Sequence, residues 1–185
     1  MMQSEYKMLL NPVADDSHET LVKAKKNLGF IPKMYRNMAT APGLLESYLY
    51  TYDQFRENAD FTSIEQEVVF LTISRENGCS YCMSAHSLIA DKMSNVPTEI
   101  TDAIRGDLTI SDSKLAALHA FTKAMHVSRG LPTQADVQAF LSAGYSERHI
   151  LDIVMAIAVK TMSNFTNHLF HTEVDETFAS RQWPD

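Results

Sequence analysis

Cysteine is scarce in this sequence: the 185 residues contain two, both inside "ENGCSYCMSAH", residues 76 to 86. Two thiols make at most one disulfide, which excludes a disulfide-stapled scaffold. In a reducing compartment a CxxC pair serves catalysis, redox sensing or metal binding more often than it forms a permanent staple. Positive charge is also in short supply. Sixteen Lys and Arg stand against 23 Asp and Glu, a formal charge of -7, which repels a phosphate backbone, so no nucleic-acid partner is expected. A long apolar run is missing too. The longest, "ILDIVMAIAV" at residues 150 to 159, is interrupted by Asp152 and closed by Lys160. It has about half of the roughly 20 residues a membrane helix needs, which predicts a buried core or subunit-interface helix and no membrane partner. The amino terminus lacks the basic start, apolar stretch and small-residue cleavage site of a secretory signal, so a cytoplasmic protein is expected.

Strict period-two alternation is absent as well, which argues against half-buried strands. What is present instead is apolar residues at spacings of three and four, behind helix-start signals. Leu44, Leu45, Tyr48, Leu49, Tyr52 and Phe55 follow Pro42 at helical spacing, and proline suits a first helical turn. "TSIE", Thr62 to Glu65, has the form of a capping box ahead of "QEVVFLTISRE". Asn77 and Gly78 then make a break, so a new helix is expected near Cys79. Pro97 starts a short helix that stops near Gly106; Ser111 or Asp112, Thr133 and Ser146 sit where the caps of three more belong. The pattern predicts an all-α fold, a single-domain helical bundle of about seven or eight helices over residues 1–185, with 1–17 an extended N-terminal arm.

If "CSYCMSAH" is helical, Cys79, Cys82 and His86 fall within a sector of roughly 60° and share one face. His86 stands one turn beyond Cys82, within reach of its thiol as base or hydrogen-bond partner. Cys79 stands at the expected helix start, where backbone N–H groups favour a thiolate. A thiol moved from a pKa of about 8.5 to about 6.5 is roughly 75% ionised at neutral pH instead of roughly 3%. A sulfenic acid formed on one sulfur by a peroxide condenses with the other thiol to a reducible disulfide. The motif therefore suits thiol peroxidase or disulfide-exchange chemistry, and spacing alone does not separate the two.

Other residues carry weaker signals. Glu67 lies at helical spacing from Ile64 and Leu71, a position that predicts a buried carboxyl with a raised pKa, suited to proton relay. Glu65 and Glu76 compete with it as a cap and a helix-end charge. Zinc at Cys79, Cys82 and His86 would need a fourth ligand that no second CxxC or HxxxH supplies, and Met83 stands where c-type haem attachment needs histidine. No metal and no cofactor are expected. His119, His126, His168 and His171 read as core or surface residues, Tyr81 as a substrate hydrogen-bond donor or a packing residue, and the ten methionines as core filling.

Glu67, eleven intervening residues and then "CSYCMSAH" resemble the alkyl hydroperoxidase D-like branch of the carboxymuconolactone decarboxylase superfamily. "NLGFIPKMYRNMATAPGLLESYL" before the motif and "NFTNHLFHTEVD" after it resemble its peroxidase-related subgroup, so the likeness spans most of the chain. The resemblance implies an all-α fold, homo-oligomers (a trimer or hexamer ahead of a dimer) and reduction of organic hydroperoxides through a CxxC dithiol/disulfide cycle. Carried over residue by residue, Cys82 is the peroxidatic thiol, Cys79 the resolving one, and His86 with Glu67 the proton relay. It further implies recharging by an external dithiol such as a lipoyl group on a partner protein. Tyr81 departs from the pattern, standing where the best-known members have histidine. The alternatives are a redox-sensing or disulfide-exchange protein without peroxide turnover, and a non-redox lyase of the carboxymuconolactone decarboxylase type.

Overall fold

The structure, a computed structural model, describes residues 4–14 and 18–184. Among the described residues it is all-helical: α1 (Glu19–Leu28), α2 (Lys33–Met38), α3 (Pro42–Asn58), α4 (Ser63–Glu76), α5 (Ser80–Lys92), α6 (Thr98–Gly106), α7 (Ser113–Val127), α8 (Gln134–Ser142), α9 (Glu147–Phe170) and a 3-10 helix, Glu176–Arg181. Nine α-helices exceed the seven or eight expected. The surplus, among the described residues, lies toward the amino-terminal end of the chain. The entry of α1 carries no side-chain cap and α2 has only 6 residues, too few for a periodic pattern to register. Residues 4–14 of the expected arm run without regular structure; residues 1–3 and 15–17 lie outside the described ones. The arm is tied down where Met8 N–H donates to the Leu169 carbonyl (2.7 Å) and Val13 N–H to that of Arg36 (3.1 Å).

Helix α4 is the axis of the molecule. Every residue from Glu65 to Ser74 is buried, as expected of a helix enclosed on all sides rather than one laid on a surface. It packs against α5, α6, α7 and α9. Its start is the capping box read from "TSIE": Thr62 Oγ1 accepts from Glu65 N–H, and Thr62 N–H donates to Glu65 Oε2. The α4–α5 turn uses Gly78 in the left-handed region (φ +65°), a conformation glycine adopts without the Cβ penalty. That turn delivers Cys79 to the N-cap of α5 and points α5 back along α4.

The long α9 closes the site from the other side. It packs on α2, α3, α4, α5 and α7. Its inward stripe is apolar at Ile153, Ala156 and Val159, then polar at Lys160, Ser163, Asn164 and Asn167, all buried. Among the described residues no helix is long and apolar enough to cross a membrane.

Candidate active site at the dithiol

Cys79 and Cys82 are both reduced and buried. The Asn167 amide on α9 lies over the pair, its Nδ2 3.4 Å from Cys82 Sγ and 3.8 Å from Cys79 Sγ. The two cysteines border different openings. Cys82 lines a cavity of about 430 Å³ together with His86, Arg56 and an aromatic wall of Tyr35, Tyr48, Tyr52, Tyr81, Phe30 and Phe178. Cys79 instead borders a narrow crevice with Gly78, Ser80, Asn167, His168 and Thr172.

Behind Cys82 runs a charged chain. His86 Nδ1 is 2.9 Å from Glu67 Oε2, and Arg56 Nη2 donates to the other carboxylate oxygen. Glu67 is fully buried. Burial pushes its carboxyl up, but His86 and Arg56 outweigh that and hold it below the usual carboxylate range. The raised pKa expected from burial is thus corrected, because Arg56 on α3 supplies a guanidinium that the spacing around Glu67 does not reveal. An ionised carboxylate only accepts, so His86 Nδ1 carries the proton and Nε2 is left free as a base. Burial first, and then the positive charge of Lys160, keep His86 below its ordinary value despite Glu67.

The two thiols are driven apart. Burial raises Cys79, and the adjacent Cys82 raises it further. Burial opposes ionisation of Cys82 as well, yet the hydrogen bond from Cys79, the charge of Lys160, the nearby His86 ring and the Ser163 hydroxyl bring it well below the ordinary thiol value. The helix-start argument favoured a thiolate at Cys79. In the structure Cys79 is the N-cap residue itself and its side chain makes no cap hydrogen bond, so the favoured thiolate is the sulfur one turn further on.

Tyr81 stands on the cavity wall, where its hydroxyl donates to Asp175 Oδ2 (2.5 Å). Asp175 also accepts from Lys33 N–H, so this carboxylate ties the C-terminal segment to Tyr81 of α5 and to the start of α2. Glu65 serves as a cap and pairs with Lys114 (2.9 Å), while Glu76 pairs with Lys123 (2.9 Å). His119 contacts Thr72 Oγ1 (2.7 Å), His126 contacts Asn77 Oδ1 (2.9 Å) and His171 contacts the Ser4 carbonyl (2.8 Å).

Arg56, Lys160 and Asn167 were not read from the sequence as site residues. For the last two a signal exists: Lys160, Ser163 and Asn167 continue the apolar phase of Ile153, Ala156 and Val159 with polar side chains, which marks a buried polar stripe.

Comparison with known proteins gives matches of two kinds. Residues 42–124 match the carboxymuconolactone decarboxylase family. The whole fold is similar to an uncharacterized peroxidase-related protein from Silicibacter sp. TM1040, with a TM-score of 0.78 at 18% identity over 100% of this chain and 99% of that one. It is also similar to a peroxidase-related protein with an alkylhydroperoxidase core from Ralstonia eutropha JMP134, with a TM-score of 0.77 at 20% identity over 90% and 88% of the two chains. A third similar structure is the debrominase Bmp8, solved as a cysteine-to-alanine variant with 2,3,4-tribromopyrrole (TM-score 0.78, 19% identity, 95% and 96% covered). No curated protein matches the chain in sequence.

Proposed function

We propose that this chain, which over residues 42–124 matches the carboxymuconolactone decarboxylase family, is a thiol-dependent peroxidase that reduces organic hydroperoxides. The observation that carries the reading is the position of Cys82: the thiol held below its ordinary value is the one that opens on the apolar cavity and has His86 beside it. In the reaction the Cys82 thiolate attacks the distal peroxide oxygen. An S–O bond forms, the O–O bond breaks, and the departing alkoxide takes up a solvent proton relayed by His86 Nε2, whose ring Glu67 orients. Cys79 then attacks the sulfenic sulfur, water leaves, and a Cys79–Cys82 disulfide remains. An external dithiol returns two electrons and two protons. A lipoyl group on a partner protein is the proposed donor, the site of action is proposed to be cytoplasmic, and the active assembly is proposed to be a homo-oligomer, a trimer or hexamer ahead of a dimer.

The test is a thiol titration of reduced protein before and seconds after one equivalent of cumene hydroperoxide. Both thiols should disappear in the wild type and Cys82→Ser should abolish turnover; a Cys82→Ser variant with full activity would exclude the mechanism. Two thiols that survive peroxide but exchange quickly with a dithiol would assign the pair to redox sensing or disulfide exchange.

A second reading is favoured by the aromatic cavity wall together with the debrominase neighbour. The same dithiol would reduce a halogenated aromatic, two thiols and a carbon–bromine bond giving a disulfide, a carbon–hydrogen bond and hydrogen bromide. Bromide release from a bromopyrrole under the same conditions, with cumene hydroperoxide left intact, selects it.

A further inference from the structure

Lys160 is a buried cation that the proposed mechanism leaves unused. Its side chain is 1% exposed, and Nζ has no hydrogen-bond partner among the described residues. A buried ammonium without a counter-charge is expensive, so its persistence calls for an anion nearby. It sits in the polar stripe of α9, one turn before Ser163 and two before Asn167, whose amide lies on both sulfurs. Nζ lies 5.3 Å from the centroid of the Phe70 ring, and the same ring is 5.0 Å from that of His86. The ammonium therefore ends in the wedge between α4, α5 and α9 that holds the dithiol.

The other charges facing this wedge are already matched. From α3, Arg56 is bonded to Glu67 of α4, and that carboxylate also holds His86 of α5. His168 of α9 is kept below its ordinary value by burial. From α2, α3 and α5, the phenols Tyr35, Tyr48 and Tyr81 are pushed upward by burial and stay neutral, and the Asp175 carboxylate beside Tyr81 is bonded to the Tyr81 hydroxyl and Lys33 N–H. Asp152 lies eight residues before Lys160 on α9, about 12 Å along the axis, and is engaged with Asp60 N–H. Among the described residues the anion left for Lys160 is a cysteine thiolate.

We propose that Lys160 is the counter-charge of the Cys82 sulfur in the reduced protein and thereby sets the redox poise of the Cys79–Cys82 pair. The inference rests on the dithiol/disulfide cycle proposed above. Oxidation removes two electrons and the thiolate charge, so the disulfide leaves Lys160 buried opposite no anion. The reduced state is favoured, the disulfide is readily reduced by an external dithiol, and Lys160 is a positioning residue that acts through Cys82.

The experiment equilibrates the chain with glutathione and glutathione disulfide and, separately, titrates the Cys82 thiolate by ultraviolet absorbance with a Cys82→Ser blank. Lys160→Met keeps length and apolarity while removing the charge. It should move the equilibrium at least tenfold toward the disulfide, about 30 mV more negative, and move the thiolate titration upward. Lys160→Arg should retain both wild-type values, a rescue that a purely structural role does not produce. A folded Lys160→Met with unmoved equilibrium and titration overturns the proposal, as does a wild type whose Cys82 is protonated at neutral pH; Lys160→Gln takes the place of Lys160→Met should that variant not fold. Glutathione equilibration involves no hydroperoxide. A missing peroxidase activity beside an intact Lys160 effect therefore removes only the peroxidase reading, and an active peroxidase with an indifferent Lys160 removes only this one.

Discussion

Glu67 is buried and yet held ionised, because two donors reach one carboxylate from different helices: Arg56 from α3 and His86 from α5. The sign of its pH dependence follows. Its folded pKa is depressed, so its contribution to stability is complete above the unfolded carboxylate value of about 4.3 and is lost as pH falls through the folded one. His86 is likewise depressed, as are the half-buried His119, His126 and His168. They remain neutral in the fold while the unfolded chain binds protons below about 6.5. Urea midpoints should therefore decline as pH falls below about 8.5, where the depressed Cys82 thiol begins to lose its advantage over the unfolded one, more steeply from about pH 6.5 and further below about 4.3. Glu67→Gln leaves one donor of the Arg56–His86 pair without its acceptor, a loss of about 1–3 kcal/mol at neutral pH, and its curve should be flatter below pH 4.3. An acid limb of unchanged steepness would show that Glu67 is not ionised in the fold. The dithiol, His86 and Glu67 could be read from sequence because they occupy two consecutive helices with a motif's spacing. Arg56 could not, because it reaches the site from a helix remote in sequence, and for Lys160 and Asn167 the sequence offers only a buried polar stripe on α9 with no sign of which site it faces.

Caps explain why four of the helices are legible in the sequence. Thr62, Asp112, Thr133 and Ser146, the positions marked by sequence, are the N-cap residues of α4, α7, α8 and α9, each preceding an apolar pattern long enough to identify. Helices α1 and α2 lack such caps and take their stability from packing, to which a local pattern is blind. The capping boxes of α4 and α8 also differ in what depends on them. Glu65 of the first accepts from Tyr145 (3.1 Å) and pairs with Lys114, joining the central helix to α7 and the α8–α9 turn. The second is exposed, and α8 packs chiefly on α7. Thr62→Ala and Thr133→Ala should each cost about 1 kcal/mol locally. In hydrogen exchange, however, Thr133→Ala should release amides of α8 alone, whereas Thr62→Ala should lower protection in α4, α5 and α7 together. Equal, confined effects would mean that α4 does not couple the bundle.

At the scale of the molecule, α9 divides the apolar run "ILDIVMAIAV" between two surfaces. Ile153, Ala156 and Val159 face the core. Leu151 and Val154 face outward, 70% and 49% exposed, and Phe165 further along is 50% exposed. With Ala158 and Thr161 between them, the outward positions 151, 154, 158, 161 and 165 follow a 3-4-3-4 spacing, the repeat of a helix–helix seam rather than of a solvated face. Val127 lines the same groove beside Val154, Ile157 and Phe165, and Leu131 is 79% exposed nearby. The sequence alone leaves core and interface undivided; in the fold the inner face of α9 is core and the outer stripe is left exposed, a division that depends on which neighbours cover the helix. A helical stripe of this periodicity suits packing against a second copy of itself, in keeping with the homo-oligomer proposed above. Sedimentation at micromolar concentration should give a species well above 20.8 kDa. Val154→Glu, at an exposed position where the isolated fold should change by about 0.5 kcal/mol or less, should move the distribution toward the monomer with helicity retained. A wild type that sediments as a single 20.8 kDa species would remove the seam from the assembly, and a mass unaltered by Val154→Glu would place the contact on another face.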